Sequence, residues 1–282
     1  MAIGGGIKIF NKIQNLLADG ASITATTGES SGNFCLDRNP LTFYRSVGSA
    51  DVTTETLVIT LPASTTIDRI FLVNHNFKSF TIKYDSATVF TDFTTVVGID
   101  GALGGGITES TFSDNTGYYE FDEVTTTRIE ITATLTQVVD AEKFLGQVIV
   151  TDELGTLTGY PVISGLTHSR NSKNKKALSG RMLIQKSVES AKMKLSFKRY
   201  PTGSTGFVAD LDLMFTLFDR ENDFLVWLCG GRRGTDYFKY TLRGFRLQDI
   251  YQMQVSKPLK VKYSKNLYPG QAEFSVSLEE VI

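Results

Sequence analysis

The segment TIDRIFLVNHNFKSFTIKYDS, residues Thr66–Ser86, decides the fold class of this chain. Its apolar residues alternate with polar ones from Phe80 to Tyr84. A period of two places the apolar side chains on one face of a β-strand. The segments Leu57–Leu61 and Ile129–Leu135 show the same alternation. The sequence therefore predicts a mainly β protein with antiparallel sheets, each with one face on a core and the other in solvent.

The length and the charge distribution predict two domains. The chain has 282 residues, and single hydrophobic cores stop growing at about 250–300 residues. Residues 1–155 contain 9 Lys and Arg against 19 Asp and Glu, a balance of −10, whereas residues 156–282 contain 20 against 11, a balance of +9. We expect an N-terminal arm of residues 1–19, a β-sandwich of residues 20–155 and a second β domain of residues 156–282.

The order of motifs in the first half points to a known fold. A turn with the pattern Asp-x-Asn-x-x-Thr spans Asp37–Thr42, and Ile67–Asn74 has the pattern Ile-x-x-Ile-x-Leu-x-Asn. A late strand begins near Arg128, and a closing strand spans Lys143–Val150. This order resembles the discoidin, or coagulation-factor C-type, branch of the galactose-binding-like superfamily. The resemblance covers residues 20–155 and implies a jelly-roll β-sandwich.

Residues that catalysis, metals and membranes require are sparse. Cys35 and Cys229 lie in different halves, so we expect two buried, reduced thiols. The only histidines, His75 and His168, are also far apart, and neither a zinc motif nor a Walker loop is present. The sequence contains no run of about 18 apolar residues, the length that a membrane-spanning helix requires. We expect a non-enzymatic protein without metal, cofactor or membrane insertion.

Two loops of the first half form the candidate ligand site. In galactose-binding-like folds, the loops that correspond to Asp37–Arg45 and Asn74–Phe77 lie near the end of the sandwich where ligands are held. Aromatic rings stack on sugars, and polar side chains bond to their hydroxyl groups. The alternative is that Phe43 and Tyr44 fill the base of the sandwich while the asparagines satisfy turn backbone. The candidate residues are Phe43, Tyr44, Arg45, Asn74, His75, Asn76 and Phe77.

The second half of the sequence has a different pattern of polar and apolar residues. The polar segment Ser169–Arg181 predicts a loop, Asp212–Gly231 predicts a helix, and Gln271–Val281 predicts a final strand with alternate apolar residues. The order of strand, helix, hairpin and a last strand that ends in Ser-Leu-Glu-Glu-Val resembles the tube and distal-tail β-sandwich of tailed bacteriophages. This resemblance implies a β-sandwich or barrel with one helix.

The basic residues of the second half have three interpretations: nucleic-acid binding, a solvated face, or contact with an acidic neighbouring subunit. Nucleic-acid binding is disfavoured because the aromatic residues alternate inward and the acidic first half repels phosphate. Contact with an acidic subunit and a solvated face both stay open as interpretations. The candidate contact residues are Arg170, Lys173, Lys175, Lys176 and Arg181.

Both resemblances together imply a structural virion protein of a tailed bacteriophage, made in the host cytoplasm and located in the tail. It would form a ring through its C-terminal domain, and its place as distal tail, tip, baseplate or adaptor protein stays open. The expected partners are copies of itself, other tail proteins and a host-surface glycan. The alternative function is a carbohydrate-binding adhesin or receptor-binding protein that uses the N-terminal domain.

Overall fold

The computed structural model shows a mainly β protein whose contacts divide it into two units. It describes residues 7–10, 17, 20–37, 42–48, 51–86, 89–98, 101–151, 153–157, 162–170, 173–176, 182–185, 189–203, 205–219, 224–227, 250–262 and 271–280. No helix within these ranges is both long and apolar enough to cross a membrane.

The first unit consists of strands around one core, with a 3-10 helix at Glu29–Cys35. Its strands are β2 (Ser22–Ala25), β3 (Tyr44–Arg45), β4 (Glu55–His75), β5 (Phe77–Ser86), β6 (Val89–Asp92), β7 (Thr94–Gly98), β8 (Gly101–Gly105), β9 (Ile107–Glu109), β10 (Thr116–Thr136) and β11 (Phe144–Ile149). The main path of their sheet runs β3-β11-β4-β10-β5-β6. This agrees with the predicted β-sandwich class.

The second unit combines the strand β1 with later parts of the chain. Its elements are β1 (Ile7–Phe10), β12 (Glu153–Leu157), β13 (Val162–Arg170), β14 (Lys173–Lys176), β15 (Met182–Gln185), β16 (Glu189–Pro201), α1 (Thr205–Asp219), β17 (Phe224–Trp227), β18 (Ile250–Lys262) and β19 (Gln271–Glu280). Seven strands form one sheet in the order β12-β1-β17-β18-β19-β16-β13, and β14 pairs with β15 separately.

The predicted alternation in the first unit is confirmed by burial. Leu57, Ile59 and Leu61 are buried on β4, as are Phe80 and Ile82 on β5. On β10 the apolar residues Ile129, Ile131 and Ala133 are buried, but Leu135 is 37% exposed. The register of β10 against β5 shifts between Ala133 and Leu135, so the alternation does not continue to that residue.

The N-terminal strand differs from the separate arm that the sequence suggested. In β1, Ile9 pairs with Gly155 of β12 and with Val226 of β17. Ile7 and Ile9 are buried in the core of the second unit. The first unit is therefore an insertion between β1 and β12, a pairing that joins residues about 150 positions apart and leaves no local sequence signal.

The predicted helix at Asp212–Gly231 is displaced in the structure. Helix α1 spans Thr205–Asp219, and Phe224–Trp227 is strand β17, paired with β18. A short apolar run such as Phe224–Trp227 fits helix and strand equally well by periodicity alone. Here its pairing with β18 makes it a strand. The final strand is confirmed, because Phe274, Val276 and Leu278 are buried on β19.

Cys35 is a free, buried thiol, as predicted. Its Sγ donates to the carbonyl oxygen of Gly32 at 3.0 Å, and burial raises its pKa to about 12. The thiol therefore stays protonated and packs as a small apolar group. Cys229 lies outside the described residues.

A candidate ligand site at the loop end of the first unit

Several loops meet at one end of the first unit, which we call the loop end: residues 42–48, 51–54, 74–77, 112–116 and 136–144. Backbone hydrogen bonds join these loops. The amide of His75 donates to Asn115, that of Gln137 to Asn76 and that of Ser46 to Lys143, at 2.8–2.9 Å. All seven predicted ligand residues lie in this region. Arg45 pairs with Phe144, whose amide donates to the Asn76 side chain, so the described residues 42–45 and 74–77 of the two loops are close in space.

Tyr44, His75 and Phe77 lie in the core at this end, each 1% exposed or less. The Tyr44 hydroxyl donates to the Thr27 carbonyl at 3.0 Å and lies 3.2 Å from the buried Glu55 carboxylate. Burial, and then the charge of Glu55, raise the pKa of Tyr44 above its ordinary value. Tyr44 therefore fixes β3 against the start of β4, as the alternative interpretation of the sequence expected.

His75 is enclosed by aromatic rings. The rings of Phe77, Phe80 and Phe112 have centroids 5.2–5.5 Å from the imidazole. The Nδ1 atom accepts from the Phe77 amide at 3.2 Å, and Nε2 has no partner among the described residues. Burial lowers the pKa of His75 to about 3, so the ring is neutral at pH 7.

The two asparagines differ in exposure and in contacts. The Asn76 amide donates to the Glu142 carbonyl at 2.7 Å, and its Oδ1 accepts from the Phe144 amide at 2.9 Å. Asn76 therefore satisfies loop backbone, as the alternative interpretation expected. Asn74 is exposed and has a φ of 56°, in the left-handed region that asparagine tolerates.

Four side chains form a partly exposed surface at the loop end, which we call the Arg45 patch: Phe43, Arg45, Glu142 and Phe144. The Arg45 Nη1 atom lies 3.0 Å from Glu142 Oε2, and both side chains are about half exposed, at 54% and 49%. The guanidinium carbon lies 4.5 Å from the centroid of the Phe43 ring. The Phe43 and Phe144 rings are 6.2 Å apart. The patch thus combines aromatic rings with charged hydrogen-bonding groups.

Sequence reasoning missed Glu142 and Phe144. The ion pair joins residues 97 positions apart, and it forms because Arg45 pairs with Phe144 where β3 meets β11. A late acidic residue beside an aromatic one is common in any sequence. Only the strand register identifies these two as neighbours of Arg45.

Partly buried hydrogen bonds hold the loops that carry the patch. Lys143 is 2% exposed, and its Nζ donates to the Thr53 carbonyl at 2.8 Å. A hydrogen bond from the Thr136 hydroxyl lowers the pKa of Asp51, which keeps that carboxylate as an acceptor in the same loop. Gly28 has a φ of 66°, and a Cβ there would lie 1.9 Å from the Arg45 carbonyl oxygen. The backbone of Arg45 is thus closely constrained.

The segment Gly28–Gly32 has the pattern Gly-x-Ser-x-Gly, which in α/β-hydrolases presents a nucleophilic serine on a strand-to-helix turn. Here it begins the 3-10 helix. The central serine of the pattern is Ser30, which is exposed, and the hydroxyl of its neighbour Ser31 donates to the Gly28 carbonyl at 2.8 Å and accepts from the Arg45 amide at 3.0 Å. These bonds build a turn against β3. Nowhere in the described ranges do three His, Cys, Asp or Glu side chains form a group that could hold a metal ion.

The predicted subunit-contact residues lie in the second unit. Arg170 ends β13, and Lys173, Lys175 and Lys176 lie on β14, which pairs with β15. Arg181 lies outside the described residues. The segment predicted as a loop thus contains a strand, and the contact role stays a prediction.

No family model and no curated protein matches this chain. It is similar to solved structures of sugar-binding modules. Chitosan-binding module 1 from a Paenibacillus sp. IK-5 chitosanase/glucanase is 19% identical over 49% of this chain and 98% of its own, with a TM-score of 0.40. The family 32 module from C. perfringens NanJ, solved with galactose, is 15% identical over 52% and 99%, with a TM-score of 0.39.

A further module, CpGH89CBM32-5 from Clostridium perfringens, was solved with GalNAc-β-1,3-galactose. It is 13% identical over 49% of this chain and 100% of its own, with a TM-score of 0.38. At such TM-scores the likeness carries no argument about a ligand of this chain. Nothing in these comparisons supports the resemblance of the second half to tail proteins, which stays a prediction.

We predict that His75→Phe flattens the dependence of stability on pH. The unfolded chain binds a proton at His75 below pH 6.5, whereas the folded chain does so only near pH 3. The contribution of His75 is therefore complete above pH 6.5 and is lost as the pH falls toward 3. Between pH 7 and pH 5 the native protein should lose about 2 kcal/mol more than the variant in urea unfolding. Equal losses in both proteins would contradict a neutral, buried His75.

Proposed function

We propose that the first unit binds a sugar at the loop end and that the Arg45 patch is the contact surface. The observation that carries this proposal is the half-exposed Arg45–Glu142 pair, set 4.5 Å above the ring of Phe43. Sugars present hydroxyl groups around a ring with apolar C–H faces. A surface that offers aromatic rings, donors and an acceptor side by side matches both features.

Arg45 and Glu142 can each give up their mutual contact and bond to a ligand instead, with only a small loss of free energy. Exposed ion pairs contribute about 0–1 kcal/mol, because water competes with both charges. Arg45 supplies only donors, whereas the Glu142 carboxylate supplies only acceptors. A sugar hydroxyl both donates and accepts, so adjacent hydroxyl groups can bond to the two side chains at once.

The side chains beneath the patch hold it in place. Asn76 bonds to the backbone of Glu142, the Tyr44 hydroxyl bonds to the Thr27 carbonyl, and Lys143 fixes the neighbouring loop. Such bonds reduce the ordering cost that binding would otherwise require. Tyr44, His75, Asn76 and Phe77 therefore support the site from within, and Phe43 and Arg45 contact the ligand.

We propose binding without catalysis. Of the four residues of the patch, only Glu142 carries a carboxyl group. Glycoside hydrolysis uses a pair of carboxyl groups on the two sides of the scissile bond. The composition of the patch therefore suits a carbohydrate-binding adhesin or receptor-binding protein.

Arg45→Ala and Phe43→Ala should each weaken retention on a glycan array, and the dissociation constant for the best glycan should rise about tenfold. A hydrogen bond to a charged group is worth about 1.5–3 kcal/mol, which covers this change. Lys83→Ala controls for the lost positive charge, and Phe90→Ala controls for a lost ring beneath an arginine, since Arg128 lies 5.1 Å from Phe90. Unchanged affinity of both test variants for the glycan would show that the sugar does not bind at the Arg45 patch.

Assembly into a virion tail is the second candidate function, and an exposed helix face favours it. Val208 and Phe215 of α1 are 54% and 44% exposed and lie seven residues apart, on one side of the helix. Exposed apolar side chains of this size are typical of protein contacts. The opposite charges of residues 1–155 and 156–282 also favour attraction between copies.

Native mass measurement tests the assembly role. We expect an oligomer that becomes smaller at high salt, because screening weakens attraction between charged surfaces. Phe215→Asp should convert it to monomer, whereas Phe34→Asp, at an equally exposed phenylalanine of the first unit, should leave it intact. A monomer at all protein concentrations would contradict assembly, and sugar binding would then be the remaining candidate function.

A further inference from the structure

The second unit has a depression on one face of its large sheet, over the strands β16, β19 and β18. Its volume is about 280 Å³. Residues of β19 alternate here: Phe274 and Val276 are buried in the core, and Glu273 and Ser275 face the other way. Helix α1 packs on the core side, where Phe207 meets Phe274 at 5.9 Å. The polar residues that line the depression lie on the opposite face, and Phe197 and Phe274 complete the lining.

Small side chains create the depression. Ser196 of β16 pairs directly with Ser275 of β19, and Ser275 also pairs with Lys260 of β18. Two adjacent serines leave space that larger residues would fill. Ser196 is only 9% exposed, so it forms the floor, and the long side chains of Lys194 and Lys260 stand at the rim.

The two rim lysines differ from their neighbour Lys192. The Lys192 ammonium lies 2.7 Å from the Glu279 carboxylate. For Lys194 and Lys260, no ion pair is found with any residue that the structure describes. The lining thus combines two ammonium groups with the single carboxylate of Glu273, and this excess of positive charge favours an anion.

The remaining groups narrow the class of ligand. Ser196 and Ser275 offer hydroxyl groups that donate and accept, and Glu273 at the wall offers an acceptor. A bare oxyanion would gain nothing from Glu273, whereas a molecule that carries hydroxyl donors beside its acidic group would bond to it. The volume, slightly below the usual range for ligand pockets, suits a molecule the size of one sugar.

We propose that this depression binds a polyhydroxylated carboxylic acid of monosaccharide size, such as an acidic sugar. The carboxylate lies between the ammonium groups of Lys194 and Lys260. The ligand's hydroxyl groups bond to Ser196, Ser275 and Glu273. The site is separate from the loop end, and neither site depends on the other.

Titration of the full-length protein with D-glucuronate, followed by amide NMR spectra, tests this site. We expect saturable shifts on β16 and β19. Lys194→Ala and Lys260→Ala should each raise the dissociation constant about tenfold, as expected for loss of a charged hydrogen-bond partner. Lys192→Ala and Lys257→Ala, on the same strands, should change it less than twofold. Amide spectra of the variants in the absence of ligand verify the fold.

Three results would overturn the assignment: no saturable shift on β16 and β19, equal weakening by the Lys257→Ala control, or inorganic phosphate binding as tightly as glucuronate. The last would show an oxyanion site without sugar recognition. Glucose supplies the neutral comparison and should bind at least tenfold more weakly. Arg45→Ala should leave glucuronate binding at this site unchanged, so failure here is distinguishable from failure of the loop-end site.

Discussion

The antiparallel pairing of β4 with β10 is the constraint on which the loop end depends. It extends from Val73 opposite Thr116 to Glu55 opposite Ala133, with register shifts in between. Thr53 and Asn76 flank the two ends of β4, and both bond to residues 142–143. Because the residues at both ends of β4 bond to this same short segment, strands β4 and β10 must bend. The bend brings loops from distant parts of the sequence together beside Arg45.

The sequence predicts those parts of the fold that depend on local alternation. The buried faces of β4, β5, β10 and β19 follow from a period of two. Strand β1 could not be placed, since its partners β12 and β17 are distant and four residues carry no periodicity of their own. The sequence predicts helix where strand β17 lies for a related reason: a short apolar run fits both states by periodicity alone.

The sequence named residues that the structure brings together, but it did not indicate which of them are buried or which other residues lie beside them. The seven predicted residues do lie at one end of the first unit. Tyr44, His75 and Phe77 are buried there, because strand pairing turns them into the core, while Glu142 and Phe144 join the surface through the register of β3 with β11. Side-chain type suggests chemistry, but exposure depends on which strands meet.

The most direct test of the loop-end site is to map a bound neutral glycan on the full-length protein by amide NMR. Phe43, Arg45, Glu142 and Phe144 share one surface, so their amides should shift together and saturate with a single dissociation constant. Saturable shifts confined to strands away from residues 43–45 and 142–144 would contradict the proposed site. The absence of any shift with glycans retained on the array would contradict it as well.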